Sequence, residues 1–144
     1  LRTPEDVRAI IEGIKDGTID CIITDHAPHA PEEKADFEKA PNGVVGLETS
    51  LAATLTALYH TGEITLQKVI ELMCVNPRKI LGLEVPEISE GKTADLVIAD
   101  INRKWTVEPE KLHSKSQNTV FKGMTFTGKP LMTISKGVIR YENL

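Results

Sequence analysis

A short apolar stretch that ends abruptly in a carboxylate and two imidazoles constrains this chain more than any other feature. Ile22-Ile23-Thr24 runs straight into Asp25-His26-Ala27-Pro28-His29. Bounded by turn residues, positions 20–24 predict a strand buried on both faces, as in a parallel sheet. In such sheets the C-terminal ends of the strands face the site, so polar groups there tend to be chemical rather than structural. Pro28 fixes the backbone between Asp25 and His29, and a rigid loop can aim both side chains into one cavity. A tip of this kind can hold a metal and move a proton.

The flanking pattern gives that strand its setting. Thr3 is placed as an N-cap, Pro4 at the first helical position and Asp6 as the closing member of a capping box. Val7, Ile10, Ile11 and Ile14 then form one apolar stripe that Gly17 stops. Helix followed by strand is the rhythm of a barrel or a doubly wound sheet. A polar loop over 31–46 follows, too long for a mere connector and therefore suited to cover or line a site. Next, a helix over 47–59 carries Leu47, Leu51, Leu55 and Leu58, with Gly62 ending it. Thr65 caps another, with Val69, Ile70, Leu72 and Met73 inward, and Asn76-Pro77 starts a short last turn that closes at Gly82. Near Glu84 to Gly91 the character changes. Strands are expected at 94–99, 104–107, 120–127 around Gly123, and 131–141 around a Lys136-Gly137 turn, as in a small sandwich or sheet.

Composition excludes several classes. A net charge of -4 leaves no basic footprint for nucleic acid, and 4% aromatic residues argue against base stacking. No apolar run reaches the ~20 residues that cross a bilayer, and no signal-peptide pattern opens the chain. Cys21 and Cys74 have no metal-type spacing and are expected to be buried thiols in a reducing cytosol. The 144 residues suffice for one ordinary core, yet the first helix begins at once and no initiator Met precedes it; the chain is read as a piece of something longer.

A desolvated, unpaired aspartate at a buried strand's end costs several kcal/mol, so Asp25 calls for a cation, a metal or strong donors nearby. The alternative is that Asp25 caps the next turn with Thr24 and His26 as partners. His29 suits a metal ligand or a donor to substrate, or else a surface histidine. His26 suits a supporting hydrogen bond or simple packing. His60, in the last turn of a helix, is expected to face the helix dipole, and His113, in a polar connector, carries no signal. One carboxylate with two or three histidines does not complete a zinc site, which takes three or four protein ligands.

Thr24-Asp25-His26-Ala27-Pro28-His29, Glu32-Glu33-Lys34 and Ala40-Pro41-Asn42-Gly43-Val44-Val45-Gly46-Leu47-Glu48-Thr49 together resemble the C-terminal third of the bacterial class I dihydroorotases, within the amidohydrolase superfamily. Asn76-Pro77-Arg78-Lys79-Ile80-Leu81-Gly82 and Glu90-Gly91-Lys92-Thr93-Ala94-Asp95-Leu96-Val97 agree, so the likeness runs over essentially the whole chain. It implies an α/β fold: the C-terminal part of a metal-dependent (β/α)8 TIM barrel over 1–86, followed by strands of a small β-sandwich domain over 87–144. It further implies zinc-dependent, reversible hydrolysis of the cyclic amide of dihydroorotate to N-carbamoyl aspartate, in cytoplasmic pyrimidine biosynthesis. Asp25 matches the aspartate that binds metal and acts as general base, His29 the histidine that contacts the substrate carboxylate, and Asn42-Gly43 the loop whose backbone touches the substrate ring.

The departures are equally specific. The family's His-x-His-x-Arg motif and its later metal-binding histidines are absent, which leaves Asp25 as the one clear metal ligand. Alone, this chain is expected neither to retain zinc nor to turn over substrate, and to need the rest of the barrel, or a second copy, to bury its apolar faces. Two rival expectations are a non-catalytic relative serving as structural partner of aspartate transcarbamoylase, and a hydantoinase or allantoinase.

Overall fold

The computed structural model describes residues 3–85 and 87–144. Leu1, Arg2 and Pro86 lie outside the described residues, and the expected boundary at 86/87 falls on one of them. Helix α1, Pro4–Asp16, begins where its cap predicts: the Asp6 N–H donates to Thr3 Oγ1 at 3.2 Å and the Thr3 N–H to Asp6 Oδ2 at 3.0 Å. Gly17, at φ 87°, ends it in the left-handed region that a Cβ disfavours. Helix α2, Ser50–Thr54, continues as a π-helical stretch, Leu55–Tyr59. Helix α3, Leu66–Ile70, capped by Thr65, runs through a second π-helical stretch, Glu71–Val75, into α4, Asn76–Ile80. The expected separate turn at Asn76-Pro77 is therefore the end of one helical run. Pro77 has no N–H to return to the preceding turn, and the widened stretch lies immediately before it.

Three antiparallel strands follow, in the order β1-β2-β3: β1 is Leu96–Thr106, β2 Thr125–Ser135 and β3 Val138–Glu142. Two of the expected strands merge into β1, whose register with β2 shifts between Asp100 and Lys104. Residues 120–123 form a turn, not the start of a strand. Lys136 and Gly137, at φ 51° and 75°, make the tight β2–β3 turn that their sequence signals. Among the described residues there is one sheet rather than two facing layers.

Two apolar clusters meet at the α2 run. Ile14, Leu55, Leu58, Ile64, Val69 and Leu72 form the first; Ala52, Val107 and Phe126 form the second, on the sheet. Gly128, at φ 107°, lets β2 approach Leu55 so closely that a Cβ would collide with its side chain. Thr56 Oγ1 clamps the same contact, accepting the Thr127 N–H at 2.8 Å.

Several expectations about burial are overturned. Residues 20–24 are extended but form no strand, because no second strand lies alongside them among the described residues; the Ile22 N–H instead donates to Leu72 O at 2.9 Å. Only Ile14 of the α1 stripe is buried, while Val7 and Ile10 stay exposed. Leu47 precedes α2 and is exposed, and Ile70 also faces out. Cys21 and Cys74 are half-buried thiols rather than core residues. His60 does not face its own helix end: its Nε2 lies 2.8 Å from Ile101 O in β1, tying helix to sheet.

Candidate active site

The extended segment delivers Asp25 in the left-handed region, at φ 44°, a conformation that aspartate tolerates better than most side chains. The turn leaves the residue exposed, and among the described residues its carboxylate has neither hydrogen bond nor ion pair. The turn-cap alternative for Asp25 therefore has no bond to support it. His26 and Val44 form an isolated parallel bridge, and the Ala27 N–H donates to Val44 O at 2.9 Å, so the two arms of the loop are zipped just beyond the aspartate.

His26 makes a supporting hydrogen bond. Its Nδ1 accepts the N–H groups of Gly46 at 3.1 Å and Leu47 at 3.4 Å. Two backbone donors converge on this one nitrogen, so the ring braces the loop by accepting both. His29 is held at both ends of its peptide unit and by its ring. Nε2 lies 3.2 Å from Asn42 O, and Nδ1 lies 3.7 Å from Glu33 Oε2, whose atom also accepts the Ala30 N–H at 2.7 Å. Gly43, at φ 104°, sits so close that an added Cβ would stand 2.5 Å from the Ala27 Cβ; only glycine passes here. Lys34 Nζ donates to Pro41 O and, at 2.9 Å, to Gly43 O, closing the 31–46 loop onto itself. His29, Asn42 and Gly43 thus share one loop cluster, and Asp25 lies two residues before Ala27 on the same arm.

Sequence reasoning missed the far side of this cluster. Ser116, 5% exposed, accepts the His29 N–H at 3.1 Å. Its single hydroxyl proton faces two acceptors, His29 O at 2.5 Å and the Asn118 side-chain oxygen. Asn118 Nδ2 donates to Ala27 O at 3.2 Å and Gly43 O at 3.3 Å. The run Ser114-Lys115-Ser116-Gln117-Asn118-Thr119 carried the available signal, since short polar side chains of this kind bond to backbone. His113 was missed too: Glu48 accepts its N–H at 2.8 Å, its ring Nδ1 at 2.9 Å and the Ser114 N–H at 3.0 Å. Partial burial pushes the Glu48 carboxyl up, but the His113 N–H, the His113 ring and the Ser114 N–H outweigh it and hold the group below the usual range.

The donor set does not amount to a metal centre. No three His, Cys, Asp or Glu side chains converge among the described residues, and Asp25 offers a single oxygen-donor group. A cavity of about 770 Å³ lies elsewhere, lined by Trp105, His113, Lys129 and Tyr141, and none of Asp25, His29, Asn42 or Gly43 borders it. The candidate site is consequently one open wall, rich in backbone-braced polar groups, with a bare carboxylate at its edge.

The comparison with known sequences gives the class: the chain belongs to the amidohydrolase family, whose sequence model matches residues 1–140. Within that family its relatives are specific. It is 46% identical over 138 residues to the dihydroorotase of Acetivibrio thermocellus, covering 95% of this chain and 32% of that one. It is 47% identical over 143 residues to the dihydroorotase of Caldanaerobacter subterraneus subsp. tengcongensis, covering 99% and 33%. Among solved structures, the L-hydantoinase of Arthrobacter aurescens superposes with a TM-score of 0.83 at 33% identity, over 98% of this chain and 33% of that one. The chain spans about a third of the length of the curated relatives it matches.

Proposed function

We propose that this chain supplies the C-terminal third of a dihydroorotase: the last catalytic strand and loop of a (β/α)8 barrel over 1–86, then strands of a β-sandwich over 87–144. The reaction is the reversible hydrolysis of dihydroorotate to N-carbamoyl aspartate, in cytoplasmic pyrimidine biosynthesis. The observation that carries this reading is the bare Asp25 carboxylate, on the same arm as His29, whose ring is tied to Asn42 beside Gly43. Nearly half of all positions shared with curated dihydroorotases, against a third with the hydantoinase, support this substrate over hydantoin or allantoin.

In the complete enzyme Asp25 would be one ligand of a zinc ion whose other ligands belong to the remainder of the barrel. A bound zinc supplies Lewis acidity, polarising the ring amide and making water nucleophilic near neutral pH. The chain's own part is proton handling and placement. Asp25 takes a proton from the attacking water at a carboxylate oxygen and returns it to the leaving amide nitrogen. His29 binds the substrate carboxylate through the ring edge that Glu33 now faces. The backbone of Asn42 and Gly43 lies against the flat ring, where the missing Cβ permits close approach.

Asp25→Asn in the assembled enzyme tests this. It keeps size and tolerance of the left-handed backbone, so the metal-free proteins should melt alike while dihydroorotate turnover falls by roughly 10³-fold or more and zinc content drops. Normal turnover in that variant would overturn the proposal. Parallel assays of the unaltered enzyme with dihydroorotate and hydantoin separate the substrate classes, and inactivity on both favours the structural partner of aspartate transcarbamoylase.

A further inference from the structure

The site wall is built from two backbone arms, 25–29 and 42–46, that are distant from the sheet in sequence yet touch its connector. Between the arms themselves, among the described residues, the ties are the His26–Val44 bridge, the Ala27 N–H on Val44 O, the His26 ring on the Gly46 and Leu47 N–H groups and the His29 ring on Asn42 O. Further ties run through residues 113–118. Asn118 donates from one side-chain nitrogen to a carbonyl of each arm, Ala27 O at 3.2 Å and Gly43 O at 3.3 Å, and its own carbonyl accepts the Val45 N–H at 3.3 Å. Ser116, 87 positions from His29, engages both the N–H and the C=O of that residue. The connector is in turn anchored on the helical side by Glu48, which takes three donors from His113 and Ser114.

We propose that Ser116 and Asn118 are positioning residues: they join the two arms and so set where the His29 ring stands relative to Asn42 and Gly43. This rests on the functional reading of His29 given above. The physical reason is hydrogen-bond satisfaction. With Ser116 almost fully buried, removing its hydroxyl takes from the part-buried His29 N–H and C=O the partner they share, and the peptide shifts to recover one. A shift of about 1 Å at a binding group is enough to matter, while the fold, whose apolar clusters lie elsewhere, survives.

The test uses Ser116→Ala, Ser116→Thr and Asn118→Asp in the assembled enzyme. Asn118→Asp keeps the shape and the oxygen facing Ser116 but turns the donor toward Ala27 and Gly43 into an acceptor. Because His29 is assigned to ground-state binding of the substrate carboxylate, KM for dihydroorotate should rise roughly tenfold in Ser116→Ala and Asn118→Asp with kcat held within about threefold. Ser116→Thr, which keeps the hydroxyl, should restore KM. The His29 ring resonances, read by proton–nitrogen NMR, should move in the first two variants and return in the third. Variants that melt lower while KM and the His29 resonances stay unchanged would show a merely structural role and overturn the proposal. If the unaltered enzyme fails to turn over dihydroorotate, the functional reading falls, and the ring resonances still decide whether Ser116 and Asn118 set the ring.

Discussion

Gly43 shows how a single residue sets the shape of the wall. Its φ of 104° lies where side-chain-bearing residues are strained, and its Cβ position is occupied by Ala27, 2.5 Å away. Both penalties fall on one atom. Gly43→Ala should therefore destabilise by about 1–3 kcal/mol, measured by urea unfolding, because the backbone must leave its region or push the 25–29 arm outward. Ala27→Gly in the same background removes the collision but not the backbone strain. It should recover part of the loss, and no recovery at all would mean that the close approach is unimportant. Asp25 gives a contrast at the same scale. Its backbone also lies at positive φ, but its side chain is exposed and makes no hydrogen bond or ion pair among the described residues, so replacing it should alter chemistry more than packing.

At the scale of elements, the outer face of α1 is pinned by charge. Glu63, in the loop after the α2 run, accepts Arg8 Nη1 at 2.9 Å and Lys15 Nζ at 2.6 Å, and Glu12 joins from within the helix. Hydrogen bonds from Arg8 and then Lys15 hold the Glu63 carboxyl at about 2, down from an ordinary 4.5. A group whose pKa is depressed on folding stabilises fully above its unfolded value, and that contribution is lost as pH falls through the folded one. The melting temperature should hence decline between pH 4.5 and about 2 with a component that Glu63→Gln lacks and that added salt shrinks. Equal pH slopes for the two proteins would remove the network from any account of stability. Caps and turns of this fold were legible because their signals are local: Thr3 with Asp6, Thr65, Gly17, and Lys136-Gly137 each act within four residues. The strand expected at 20–24 was not, because periodicity reports which face can be buried but not whether a neighbour is present to pair with it. For the same reason Ser116 and Asn118 were not singled out, whereas Asp25 and His29 were proposed from the rigid Pro28 spacing, and Asn42 and Gly43 only from the family resemblance.

At the scale of the whole molecule, the distribution of apolar surface decides the state of the isolated chain. Ile23 is 76% exposed, within a segment whose composition suits burial on both faces, and Ile88 is 89% exposed beyond the helices. Val7 and Ile10 on α1, Ile70 and Ile80 on the helical run, and Val97 and Ile98 on β1 add uncovered faces on three sides. Each such side chain left in water forgoes about 1.5–3 kcal/mol of burial. The edge of β1 away from β2 adds unpaired backbone groups that template further pairing. The 144-residue chain by itself should therefore self-associate: sedimentation velocity should show a size distribution that grows with concentration, and a dye for exposed apolar surface should bind and be displaced once the remainder of the barrel is supplied. Charge substitutions at Ile23 and Val97 should reduce association without touching the buried clusters around Leu55 and Phe126, to which neither residue belongs. A monodisperse, cooperatively melting monomer at high concentration would mean that these faces are tolerated in water, and the need for a covering partner would disappear with it.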